Sequence, residues 1–291
     1  MPAIKTTSQN LVRTVDPNVA PIMLSDLERF VPSIVADTPH ASRSEKYGFV
    51  STMQLLMGLR DRFQIVQASQ SRVRSDQSRR EYTKHMIRLR QRGVAPVTEL
   101  GGLFPELVLI NSHDGSSSYQ LMAGLFRLVC SNGMVVCDSD MGSVRIPHKA
   151  GAIGDVIDAS YTVVESAAGS IERARDWSRI ELKRDEQVYL AESAHALRFE
   201  EGTAIGEAIS PHALLAPRRM ADTGSDLWSI TNRLQENVIK GGLTGIARNP
   251  EDRRRSRRVS ARAVTGVDQD VRLNKQLWAL AEKMAELKAA A

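Results

Sequence analysis

Along the first half of the chain apolar residues alternate with polar ones or gather in short unbroken runs, and beyond Pro147 they recur every three or four positions. The first rhythm belongs to strands and the second to helices that bury one face. Tyr47 to Val50 reads as a short extended piece, after which Ser51 or Thr52 can cap a helix carrying Met53, Leu55, Leu56 and Leu59. Strands are predicted over Arg62 to Arg74, so polar that it should lie at an edge or line a groove, and over Glu106 to His113, a continuous apolar run ended by the turn signal Asp114-Gly115. Ser118 to Cys130 follows, then the turn Asn132-Gly133 and Met134 to Cys137. Tyr119, Met122, Ala123, Phe126 and Cys130 also fit a helical stripe ended by Gly133, so that segment reads both ways.

Helical spacing governs Gly154 to Leu190, as one helix or two, and continues over Glu192 to Glu201. A further helix starts at the cap Asp226 and runs through Lys240 to Gly241-Gly242, and a last one covers Val271 to Ala291. Ser260 to Val267 is read as a strand and Arg253 to Arg258 as a flexible loop. The pattern predicts an α+β fold, an antiparallel β-meander in the first half packed against a helical second half. Residues 44–291 are expected to form one domain, β-rich over 44–149 and helical over 150–291, preceded by an N-terminal arm, 1–43, that is partly mobile.

Charge adds one segment that periodicity leaves open. Arg74 to Arg92 carries seven Lys or Arg against Asp76 and Glu81. As a strand it aims Lys84, Met86, Arg88, Arg90 and Arg92 to one side and Ile87 and Leu89 to the other; as a helix it lines up Arg80, Lys84, Arg88 and Arg92. Either way the positive charges share a face, and a row of guanidiniums could neutralise successive phosphates. A solvated charged surface is the plainer alternative.

The chain of 291 residues is 42% hydrophobic, enough for a sizeable core, and its net charge of +5 is concentrated in Arg74 to Arg92 and Arg253 to Arg262. No apolar run approaches the ~20 residues that cross a bilayer and the start lacks a secretory pattern, so a cytoplasmic protein without membrane association is expected. Cys130 and Cys137 are the only cysteines, read as reduced thiols, and no metal or other cofactor is expected. Absent are a G-x-x-x-x-G-K-[ST] loop, G-x-G-x-x-G, H-E-x-x-H and G-x-S-x-G, which removes the common nucleotide, zinc-protease and hydrolase readings.

Three strings could carry chemistry. His113, Asp114 and Gly115 sit at a strand end, where a base and an acid could project; the same residues also make an ordinary tight turn. Arg127, Cys130 and Asn132 form R-L-V-C-S-N, in which an arginine among apolar neighbours needs a carboxylate, carbonyl or phosphate, with Glu106 and Asp114 as conceivable partners. Asn232, Arg233, Gln235, Glu236 and Asn237 crowd one helix, either as a site or as its hydrophilic face.

The H-D-G, R-x-V-C-x-N and N-R-x-Q-E-N strings, in that order between Tyr47 and Gly242, resemble a phage/plasmid-like protein family known as domain of unknown function nine-three-two. The resemblance implies a phage, prophage or plasmid setting, and a basic groove on a meander looks like single-strand annealing proteins in general plan. The leading expectation is a non-enzymatic DNA-binding protein, favouring single strands, possible as a homo-oligomer and acting in recombination. Phosphate contacts fall to Arg79, Arg80, Lys84, Arg88, Arg90, Arg92, Arg127, Arg254, Arg255, Arg257 and Arg258, and base stacking to Tyr82 or Phe63. The alternatives are a nucleic-acid-processing enzyme in which His113, Asp114, Arg127 and Glu236 converge, and a protein that binds a host defence or replication factor.

Overall fold

The period-2 half of the chain forms an antiparallel sheet and the period-3.6 half forms helices, an α+β architecture. The computed structural model describes residues 5–44, 47–73, 75–128, 132–135, 144–148, 152–248 and 256–290. The chain divides into two compact units, Met1–Ile171 and Glu172–Ala291.

In the first unit β1 (Lys5–Ser8), β2 (Leu11–Thr14), β3 (Phe63–Gln70), β4 (His85–Gln91), β5 (Leu103–Asn111), β6 (Tyr119–Arg127) and β7 (Asn132–Val135) pair in sequence order, each antiparallel to the next. β8 (Val144–Ile146) pairs with the start of β6. The segment that fitted either a strand or a helical stripe is thus β6, its Cα positions registered against β5 from Leu103↔Arg127 to Ile110↔Gln120. The basic segment is also a strand where it is regular, preceded by a 3-10 turn over Gln77–Glu81.

One face of the sheet carries Ile87, Leu89, Leu107, Leu109 and Leu121, which pack with α1 (Leu24–Phe30), α2 (Thr52–Leu59) and the start of α3 (Ala152–Trp177) around Leu27, Leu55, Leu59, Val156 and Val163. Ser51 caps α2 by accepting from the Gln54 amide, as the sequence suggested. Residues read as an arm contribute β1, β2 and α1, and Val12, Leu27, Val31 and Ile34 are fully buried in this core. Short strands and a seven-residue helix give too few positions for a period to show, which is why tertiary burial and not pattern reveals them.

The second unit contains the end of α3, α4 (Arg184–Arg198), α5 (Ala204–Ala208), α6 (Leu227–Lys240), β9 (Thr244–Arg248), β10 (Ser256–Ser260) and α7 (Val267–Ala289). Asp226 caps α6 by accepting from the Ser229 amide at 2.8 Å. Trp177 stands 4.4 Å from Trp278 and 6.5 Å from Trp228, ring centroid to ring centroid, at the centre of this unit. The strand expected over Ser260 to Val267 lies earlier, over Ser256–Ser260, where it takes up part of the stretch read as a loop. Among the described residues no helix is long and apolar enough to cross a membrane.

Candidate functional site

The arginine row on β4 shares a face, but that face is buried. Arg90 stands directly across from Glu106, with Arg88 one pleat further along. Arg88 Nε donates to Glu106 Oε2 at 2.7 Å and Arg90 Nη2 to Oε1 at 2.9 Å, with Glu106 1% exposed. Arg88 Nη2 continues across Gly124 to the carbonyls of Leu125 and Met134, and a β-carbon at Gly124 would stand 2.9 Å from that nitrogen. Arg90 Nη1 donates to Val15 O, and its guanidinium lies over the Phe104 ring at 3.9 Å. Arg88 and Arg90 are 2% and 5% exposed, so neither contacts phosphate as expected. Their charge is held by the carboxylate placed opposite, because an unpaired buried guanidinium would be far costlier. Phe63, offered for stacking, is likewise a core residue at 4% exposure.

The other basic positions of the row fall at opposite ends of β4. Before it, Arg79 is exposed and ion-paired with Asp76, Arg80 donates to Arg29 O and Lys84 is half-buried; after it, Arg92 is exposed and donates to Arg60 O. A seven-residue strand, roughly 23 Å long, separates the two groups. Arg127, 5% exposed, takes the carbonyl option: its Nε donates to Leu100 O at 2.9 Å. It pairs with Leu103, eight residues before Asn111 on the same strand, which puts it roughly 25 Å from the Asn111 end of β5, beyond which His113 follows. Cys130, Arg254 and Arg255 lie outside the described residues, as does the side chain of Asn132.

The N-R-x-Q-E-N string belongs to the core of the second unit. Asn237 Nδ2 donates to Leu214 O and Ala216 O, Arg233 to Leu215 O and Gly224 O, Gln235 to Asn274 Oδ1, and Asn232 to Trp228 O. Glu236 accepts from Arg219 at 2.9 Å and Lys240 at 2.8 Å; burial pushes its carboxyl up, and these two cations outweigh it and hold the pKa low. Asn237 and Arg233 clamp the segment 211–224 onto α6 by pairing its carbonyls, while Gln235 ties α6 to α7 through Asn274. Glu236 therefore serves structure and belongs to a different unit from His113; within the first unit Arg127 and His113 stand toward opposite ends of β5, so these two do not converge.

The remaining basic positions lie on the β9–β10 ribbon. Arg248 is paired with Ser256, Ile246 with Arg258 and Thr244 with Ser260, so these six side chains share one face, and all six are exposed. The opposite face carries Gly245 and the buried Ala247; a β-carbon at Gly245 would overlap Ala208 O, so that face rests on α5. Arg257 is exposed opposite Ala247. From Arg248 to Arg258 the sequence holds six arginines against Glu251 and Asp252. Arg248 was not singled out from the sequence, since only strand pairing brings it onto the face of Arg258.

His113 ends in a cluster that sequence spacing conceals. Thr52 Oγ1 lies 3.0 Å from His85 Nε2 and 3.2 Å from His113 Nε2, and accepts from Asn111 Nδ2 at 3.0 Å. His85 Nδ1 faces Thr83 O at 3.1 Å and so carries a proton; its Nε2 then accepts from the Thr52 hydroxyl, and His113 Nε2 must donate. These tautomers satisfy every lone pair and proton on Thr52 and leave His113 Nδ1 a bare, buried acceptor. Burial pushes the pKa of His85 down to about 4 and that of His113 to about 2, the latter helped by His85 and His148. His148, bonded through Nε2 to Ser117 O, is also lowered by burial, and Tyr47, 4.9 Å from it, is pushed up to about 12 by burial and by Asp114. Asp114 is part-buried, which raises its pKa, but bonds from Ser116 and Ser112 outweigh this. Gly115 takes φ +78°, and a side chain there would meet Arg43. Among the described residues no group of three or more His, Cys, Asp or Glu could hold a metal.

A family model described as a domain of unknown function, DUF932, matches residues 39–278. The chain belongs to this family. Two relatives from Escherichia coli (strain K12), UPF0380 protein YafZ and UPF0380 protein YfjQ, are each 43% identical over 266 residues, 91% of this chain and 92% of the relative. No solved structure matches. The DUF932 span takes in the histidine cluster, the Arg88–Glu106–Arg90 triad, α6 and the ribbon, and it begins after β1, β2 and α1.

Proposed function

We propose that this DUF932 protein binds nucleic acid and that the β9–β10 ribbon makes the contact. The observation that carries the reading is one ribbon face with Arg248, Arg258 and Ile246 all exposed, flanking a connection that contains Arg253, Arg254 and Arg255. A two-stranded antiparallel ribbon has the width to enter the major groove of duplex DNA, and arginines along it neutralise phosphates on either side. The ribbon strands carry no aromatic residue, so base stacking of the kind single-strand binders use has no platform there. That favours duplex over single strands, a change from the sequence-based expectation. In a phage, prophage or plasmid such a surface would serve replication or recombination.

A processing reaction at His113 and Asp114 finds less support, since Arg127 and Glu236 are committed to structural bonds elsewhere. Fluorescence anisotropy with labelled duplex and single-stranded oligonucleotides of one sequence tests the proposal at low salt. Binding by the wild type, duplex preferred, and its weakening in R248A/R258A are expected. No binding to either oligonucleotide would end it.

A further inference from the structure

The first unit contains a half-enclosed cleft of about 760 Å³ whose walls include Arg90, Phe104, Gln64, Gln91, Asn18 and Asp16. We infer that this cleft binds a nucleobase, a use that needs nothing from the ribbon. Its size falls within the roughly 300–1,000 Å³ of small-molecule sites. Flat apolar surface comes from Phe104, Pro17 and Pro96, and the polar groups among them include both donors and acceptors.

Arg90 contributes a guanidinium that is nine-tenths buried. Two of its nitrogens are bonded, to Glu106 and Val15 O, while its Nε has no partner, and the two arginines that share Glu106 leave this part of the sheet with one net positive charge. Gln64 donates through Nε2 to Asn18 Oδ1 at 2.9 Å, which fixes its amide and leaves Oε1 to accept. Gln91 offers a donor and an acceptor, and Asp16 a carboxylate.

The ligand class follows from what these groups exclude. A wholly apolar ligand would strip water from two amides and a carboxylate without replacing their bonds. A phosphate would face Asp16 and find one guanidinium already bound to Glu106. A flat heterocycle with ring acceptors and N–H donors on its edge suits both the apolar walls and the mixed rim, and a nucleobase is that ligand.

Saturation-transfer NMR on the full chain, using adenosine, guanosine, cytidine and uridine in turn with ribose and inorganic phosphate as controls, tests the assignment. Saturable binding of at least one nucleoside and of neither control is expected. Val94→Trp, which fills the cleft from its rim, should abolish the signal, and Gln64→Ala, which leaves packing intact, should weaken binding about fivefold through one lost hydrogen bond. R248A/R258A should bind the nucleoside unchanged, so failure of the ribbon reading and failure of this one are separable. Comparing the free nucleoside with the same base in an unpaired overhang tells the source: equal affinity marks a free nucleotide, and tighter binding of the overhang marks a polynucleotide. Absence of binding by all four nucleosides, or undiminished binding by both cleft variants, overturns the inference.

Discussion

Lowering the pH from 7 to 5 should remove about 4 kcal/mol of folding stability through His85 and His113, and His148, also lowered by burial, adds to the loss in the same direction. His85 and His113 are fully buried, bonded to one threonine hydroxyl in the neutral form, with pKa values near 4 and 2 against an ordinary 6.5. The unfolded chain takes up protons as the pH falls through 6.5 while the native state refuses them, so stability declines from there and levels off only where each native imidazole itself titrates. At pH 5 each histidine is about 1.5 pH units below its unfolded pKa and still neutral in the native state, which costs about 2 kcal/mol apiece. Carboxylates held low by their partners, such as Asp26, Asp114 and Glu236, act below this window, because their unfolded pKa values lie near 4. Urea denaturation at pH 7, 6 and 5 gives the curve, and His113→Gln, whose amide can still donate to Thr52, should reduce the loss at pH 5 by about 2 kcal/mol. Equal stability at pH 7 and 5, or an unaltered loss in the variant, would refute the neutral-pair assignment.

Glu106→Gln should cost about 3–5 kcal/mol in chemical denaturation, since it leaves two buried guanidiniums without their carboxylate; a cost under 1 kcal/mol would show that the triad is solvated. Gly124→Ala should destabilise by about 1–3 kcal/mol, because its methyl would press on Val108 and on the Arg88 guanidinium, and an unchanged melting temperature would contradict that packing. Asp226→Ala should cost about 1 kcal/mol through the lost α6 cap, measured in the same way, whereas no change would mean that the cap is dispensable.

The sequence made the meander and the helices legible because their periods run long enough to read. The turn at Asp114-Gly115 and the caps Ser51 and Asp226 stand where local chemistry puts them, whereas Asn132-Gly133, read as a turn, is the paired start of β7 against Arg127 and Phe126. What it hid is tertiary. Arg88 and Arg90 look like a solvated face because alternation on β4 cannot say which face is covered, and the carboxylate that holds them comes from the neighbouring strand. Polar α6 residues read as a surface for the same reason, their partners being carbonyls of a loop more than ten residues upstream. His85 and His113 are 28 positions apart in sequence, and only the adjacent ends of β4 and β5 under the start of α2 bring them to one hydroxyl. Arg127 is legible in part: an arginine among apolar neighbours needs a carboxylate, a carbonyl or a phosphate, and Leu100 O supplies the carbonyl.

The salt dependence of oligonucleotide binding tests the ribbon most directly. If Arg248 and Arg258 contact phosphates, the slope of log affinity against log salt should be shallower by about two in R248A/R258A than in the wild type, and Arg92→Ala should leave the slope unchanged. Equal slopes for wild type and ribbon variant, with the loss appearing instead in Arg92→Ala, would contradict the account.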